Sequence, residues 1–128
     1  MADEKLIKVL VVDDEYDLMQ GAMDFAGKFI GETYSFSVAE TADEGLEKLI
    51  EIKPDIIFLD KNFADSNKHG VYFLDVIKTV EEYEDYKNIP IIGIGSFYED
   101  ERDKLTEYDP KPLSYKNFEN MIKKYVKK

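Results

Sequence analysis

The sequence predicts a doubly wound α/β domain with a five-stranded parallel sheet. Two observations carry this. Short β-branched apolar runs alternate along the chain with stretches of helical periodicity, and such alternation builds a parallel sheet joined by right-handed crossovers. The most apolar of those runs, Ile56-Ile57-Phe58-Leu59, is unbroken and stops at a carboxylate, Asp60. An unbroken run of this kind suits a strand buried on both faces. Asp60 then stands at the carboxyl end of a central strand, where open α/β sheets place their ligand crevice.

The elements follow in order. Leu6 to Val12 is apolar and β-branched apart from Lys8 and reads as the first strand, ending at Asp13-Asp14-Glu15. From Tyr16 to Ile30, the residues Leu18, Met19, Ala22, Phe25, Ala26 and Phe29 are spaced for one helical face, with Gly31 at a terminating position. Phe36 to Ala39 is a short second strand. Thr41-Ala42-Asp43-Glu44 is a capping box, and the helix it opens carries Leu46, Leu49 and Ile50 and ends before Pro54. After the third strand, Lys61 to His69 is a polar loop. Gly70 to Ile77 opens a third helix with Val71, Leu74 and Ile77 on one face. Pro90 to Ile94 is the fourth strand, with proline at its first position, where a missing donor is tolerated. Tyr98 to Thr106 is charged and holds at most a short helix. Glu107 to Asp109 is a stub of a fifth strand, and Leu113 to Val126 a closing helix with Phe118, Met121, Ile122 and Tyr125 on its face.

Composition bounds the function. A chain of 128 residues with 44% hydrophobic content forms one domain with a real core, spanning 1–128. A net charge of −11 argues against nucleic acid as a partner, and the Lys run at its end reads as a solvated helix terminus. With no cysteine there is neither a disulfide framework nor a thiolate metal site. The acidic start lacks the features of a signal peptide, and no apolar run reaches membrane-spanning length. The expectation is a cytoplasmic domain that meets neither membrane nor nucleic acid.

The topology gathers Asp13, Asp14, Asp60 and Lys111 just past the carboxyl ends of strands. The first and third strands are expected to be neighbours, so their terminal carboxylates converge. Clustered carboxylates repel unless a cation joins them. An all-oxygen site of this kind suits Mg2+, which commonly completes its shell with a phosphate. Lys111 adds a positive point charge for an anion. Together these groups make a site for phosphoryl chemistry with a carboxylate as nucleophile. Taken singly, each has a plainer reading. Asp13-Asp14 is then a strand-end turn or cap, Lys111 a surface lysine, Asn62 a turn former, Ser96 a helix cap and Tyr108 a packing residue. His69, the single histidine, reads as a solvated loop residue.

Val11-Val12-Asp13-Asp14-Glu15, Ile57-Phe58-Leu59-Asp60, His69-Gly70-Val71-Tyr72-Phe73-Leu74, Ile89-Pro90-Ile91-Ile92 and Tyr108-Asp109-Pro110-Lys111-Pro112-Leu113, in that order, resemble the receiver domain of bacterial two-component response regulators. The resemblance covers nearly the whole chain. It implies a flavodoxin-like sheet of strand order 2-1-3-4-5 with Asp60 as phosphoacceptor. It also implies Asp14 as a direct Mg2+ ligand, Asp13 as a ligand through water, and Asn62 as the donor of a backbone carbonyl. Lys111 would pair with the phosphoryl group, a cis bond to Pro112 is compatible with the pattern, and Tyr108 matches the aromatic switch position. The implied partners are a histidine kinase or phosphotransfer protein and an unknown downstream protein.

This chain also departs from the family's pattern. Ala64 replaces a proline four residues after the acceptor, and the loop to Gly70 is about two residues longer. Gly95 takes the place of the switch Thr or Ser, with Ser96 one residue late as the candidate phosphate-binding hydroxyl. The stretch from there to Lys111 is shortened, which cuts down the fourth helix and fifth strand. The expectation is therefore an atypical stand-alone receiver, with no length left for an output domain and no activity beyond its own phosphorylation and dephosphorylation. A pseudo-receiver that signals by shape alone is the alternative. A metal-dependent phosphatase is weaker, because position 62 is Asn rather than the second acid of a DxD pair.

Overall fold

The structure, a computed structural model, describes residues 7–12, 34–60, 77, 85–86, 88–94, 105–109 and 115–126. Five strands are present among them: β1 (Ile7–Val12), β2 (Tyr34–Ala39), β3 (Ile56–Asp60), β4 (Ile91–Ile94) and β5 (Glu107–Asp109). They form one sheet in the order β2-β1-β3-β4-β5, with every neighbouring pair parallel. This is the expected flavodoxin-like order. Two helices are described, α1 (Ala42–Ile52) and α2 (Tyr115–Tyr125). The expected helix from Tyr16, the loop from Lys61 to His69, the third helix apart from Ile77, and the segment from Tyr98 to Lys104 lie outside the described residues.

The sheet is packed on both faces, and strand alternation decides which side chain goes where. Ile7, Val9 and Val11 of β1, Ile56 and Phe58 of β3, and Ile92 and Ile94 of β4 share one core with Ile122 and Val126. Leu10 and Val12, Ile57 and Leu59, and Ile91 share the other with Ala42, Leu46 and Leu49 of α1 and with Ile77. Residues 56 to 59 are all fully buried, which explains why β3 reads as an unbroken apolar run. Lys8, the interruption in β1, is exposed at the amino edge of the sheet.

That edge is tied by side chain as well as backbone. The Lys8 amide donates to Asp55 Oδ2 at 2.9 Å, and the Asp55 amide donates to the Lys8 carbonyl at 2.8 Å. Pro90 immediately precedes β4, where its carbonyl accepts from the Ile57 amide at 2.9 Å and its missing N–H costs nothing. β2 begins at Tyr34, two residues before the expected start, because β1 offers six residues to pair and Ile7 is in register with Tyr34.

α1 starts as the capping box predicts, with one difference. The Thr41 hydroxyl accepts from the Glu44 amide at 3.1 Å. The Glu44 carboxylate reaches back to the Glu40 amide, at 2.8 Å, rather than to that of Thr41. Two donors at the chain's entry are satisfied all the same. The helix ends at Lys53, which is left-handed (φ 50°) and donates its amide to the Leu49 carbonyl at 3.1 Å. A non-glycine residue there costs on the order of 1 kcal/mol, and Pro54 next to it prevents the helix from continuing. Ile50 departs from expectation. Its spacing sets it with Leu46 and Leu49, yet it is 43% exposed. At 100° per residue the buried stripe runs through Ala42, Gly45, Leu46 and Leu49, and Ile50 turns past it into solvent.

Candidate functional site

The carboxyl edge of the sheet is defined by register. Val12, the last residue of β1, is level with Leu59. Asp60, the last residue of β3, is level with Ile94, the last of β4, and Ile94 is level with Asp109, the last of β5. Adjacent strands lie about 4.8 Å apart, so four strands end along one short line with Asp60 in its middle. Asp60 is half-buried, at the point where the fully buried run of β3 meets the edge. The sheet's two packed faces create that position: they make the strand apolar throughout and force its first polar residue to the crevice.

The other expected site residues relate to this edge as follows. Asp13 and Asp14 follow Val12 directly in the chain, Gly95 and Ser96 follow Ile94, Asn62 lies two residues beyond Asp60, and Lys111 lies two beyond Asp109. All six lie outside the described residues, as does the Lys111–Pro112 bond. Every one of them continues from a strand whose described end borders Asp60 or its neighbours. Tyr108 lies in β5, level with Gly93 of β4. Asp109, expected only as the end of a short strand, is brought by register to the level of Asp60 across β4.

The chemistry fits a hard cation. Acids leaving β1 and β3 at one edge supply oxygen donors only, which suits Mg2+ far better than a soft metal. Beside such a group, a lysine entering from the β5 side would meet an anion held at the edge.

A second polar cluster, not apparent from the sequence, sits at the outer strand. Glu107 Oε1 accepts from Lys124 Nζ at 3.0 Å and from the Tyr125 hydroxyl, both on α2. Lys124 Nζ lies 5.2 Å from the centre of the Tyr125 ring. The Tyr125 hydroxyl first, then Lys124, holds the Glu107 carboxyl below the usual carboxylate range. Donating to Glu107 in turn raises both Tyr125 and Lys124 above their ordinary values. These residues are 17 and 18 positions from Glu107, so no local spacing signals the contact.

No protein-family model matches the chain. Among curated proteins it is similar to the sensory transduction protein LytT of Bacillus anthracis, 31% identical over 128 residues, covering 95% of this chain and 48% of that protein. The chain thus spans about half the length of the curated relatives it matches first. Among solved structures it is similar to the chemotaxis protein CheY4 of Vibrio cholerae, with a TM-score of 0.76 at 20% identity over 94% of this chain and 99% of that one. It is likewise similar to the receiver domain of NtrX from Brucella abortus, with a TM-score of 0.74 at 21% identity over 92% of this chain and 97% of that one. At these identities the structural likeness establishes the fold, and the curated similarity adds the sequence relationship.

Proposed function

We propose that the chain is a response regulator receiver domain, a reading supported by its similarity to LytT and to solved receiver structures, and that it accepts a phosphoryl group on Asp60 and signals by the change of shape that follows. The observation that carries the reading is the position of Asp60, half-buried at the end of a fully buried central strand and flanked by the ends of β1 and β4. The donor is a histidine kinase or a phosphotransfer protein presenting phosphohistidine. A carboxylate oxygen of Asp60 attacks phosphorus, the new O–P bond forms as the N–P bond breaks, and the electron pair leaves with the imidazole nitrogen. The Lys111 ammonium balances charge on the transferring oxygens. Asp13, Asp14, Asp60 and the Asn62 carbonyl would hold Mg2+, which supplies further charge neutralisation at those oxygens. The protein acts on no substrate but itself, works in the cytoplasm, and passes its state to a downstream protein.

The experiment is intact-mass measurement before and after incubation with acetyl phosphate and Mg2+. The wild type should gain one phosphoryl group and Asp60→Asn none. A gain that persists in the variant removes Asp60 as the acceptor. The replacement of the switch hydroxyl by Gly95 favours a second reading, a pseudo-receiver that signals without phosphorylation. The same measurement separates the two, since a pseudo-receiver gains no mass in either form.

A further inference from the structure

The sheet has two outer strands, and they are finished differently. β5 has three residues and carries the acids Glu107 and Asp109. Short length and charge both discourage an exposed strand edge from pairing with another chain. β2, at the other side, has six residues, Tyr34-Ser35-Phe36-Ser37-Val38-Ala39. No charge, proline or glycine stands among them, in a chain of which 35% is charged. β2 pairs with β1 residue for residue from Tyr34 to Ala39, so no bulge turns it away from a further neighbour. Among the described residues no strand lies beyond it. A strand with one neighbour uses one of its two rows of backbone groups, and the second row of β2 is a regular template.

The side chains of β2 differ between its faces. Phe36 and Val38 pack against the core that contains Ile122. Ser35 and Ser37 lie on the α1 face, because they are level with Lys8 and Leu10 of β1, and Leu10 shares a core with α1. Two side chains this small leave room under the last turn of α1. A cavity of about 200 Å3 opens there, lined by Lys8, Ser35, Ser37, Glu51 and Ile52. A regular edge with a cavity beside it provides both parts of strand addition. The main chain of the added segment supplies affinity, and a pocket receives one of its alternate side chains.

We propose that the outer edge of β2 docks an extended segment of a partner protein, which adds a strand to the sheet and sets one uncharged polar side chain over the Ser35–Ser37 cavity. That side chain is uncharged because the cavity presents one charge of each sign, Lys8 and Glu51, beside the two hydroxyls. The segment is basic on either side of the stretch that pairs, since the chain carries a net charge of −11 and Glu40 stands exposed directly after β2. The same net charge opposes a second copy of this chain in that place. Docking does not depend on phosphorylation of Asp60: β1 separates β2 from β3.

The probe is a synthetic peptide of alternating valine and threonine with lysines at both ends, added at millimolar concentration to the whole unphosphorylated chain. Main-chain bonds carry most of the affinity in this mode, so a generic strand former suffices. Amide exchange followed by mass spectrometry should show β2 slowed about tenfold by the peptide and β4 unchanged. The same peptide N-methylated at alternate amides, prepared in both phases, should bind about tenfold more weakly in one phase, because one row of its donors faces β2. Ser37→Lys, which sets a charge in the cavity and on the edge, should also weaken binding about tenfold while exchange in β3 stays as in wild type. Undiminished binding of both methylated peptides overturns strand addition, as does a peptide that leaves exchange in β2 unchanged. Slowing of β2 that rises with protein concentration in the absence of peptide, together with a dimer by sedimentation, gives the edge to a second copy and overturns the partner reading.

Discussion

Truncating Ile57 and Phe58 one at a time asks whether β3 is packed on both sides. The two residues are adjacent, both are fully buried, and they belong to opposite cores. Phe58→Ala empties a space beneath α2, among Ile56, Ile92 and Ile122, and should cost about 3–5 kcal/mol. Ile57→Ala empties a space beneath α1, among Leu49, Leu59 and Ile91, and should cost about 2–5 kcal/mol. A domain of this size has roughly 5–15 kcal/mol in total, so each truncation removes a large share of it and the two together, about 5–10 kcal/mol, are comparable to the whole. Urea unfolding gives the midpoints and slopes, with Lys8→Ala as the exposed control, expected within about 0.5 kcal/mol of wild type. A one-sided sheet would penalise only one of the two truncations. A cost for Ile57→Ala below about 1 kcal/mol, with the full cost for Phe58→Ala, would refute the two-faced packing and with it the reason why Asp60 is the first polar residue of its strand.

Mg2+ at millimolar concentration should raise the thermal midpoint, because a cation relieves repulsion among the acids at the carboxyl edge; an identical response from wild type and Asp14→Ala would place binding elsewhere. Glu107, held below its ordinary value of 4.5, contributes stability that is present above that pH and lost as pH falls through the lower folded-state value. The stability difference between wild type and Glu107→Gln should therefore shrink as the solution is acidified below about 4.5, and a difference independent of pH there would contradict the hydrogen-bonded carboxylate. Tyr125 has the opposite sign: raised from 10.0, its contribution is complete below that pH and declines as pH rises through the folded-state value, a loss that Tyr125→Phe should not show. If Ser96 supplies the hydroxyl that Gly95 lacks, Ser96→Ala should keep its Mg2+ response and lose much of the phosphorylation-dependent change in amide exchange; an unchanged exchange response removes Ser96 from the relay.

The alternation of apolar runs and helical periodicities was enough to order the sheet, and the unbroken apolarity of residues 56 to 59 marked β3 as central. The cap at Thr41 was also legible, because a capping box is a contact between residues three apart. Asp60 could be placed for the same reason, since it ends a pattern that has one period and one direction. What the tertiary structure decided were matters of neighbourhood. β2 runs two residues further than expected, paired in register with all six residues of β1. Ile50 is apolar and on the right helix, yet the width of the face that meets the sheet leaves it in solvent. Glu107, Lys124 and Tyr125 meet only because the closing helix returns across the outer strand, and the carboxylate becomes a bridge through partners that the chain brings to it from far along its length. Local periodicity determines which face of an element is apolar; only the packed sheet determines how much of that face is covered and which polar groups stand at its border.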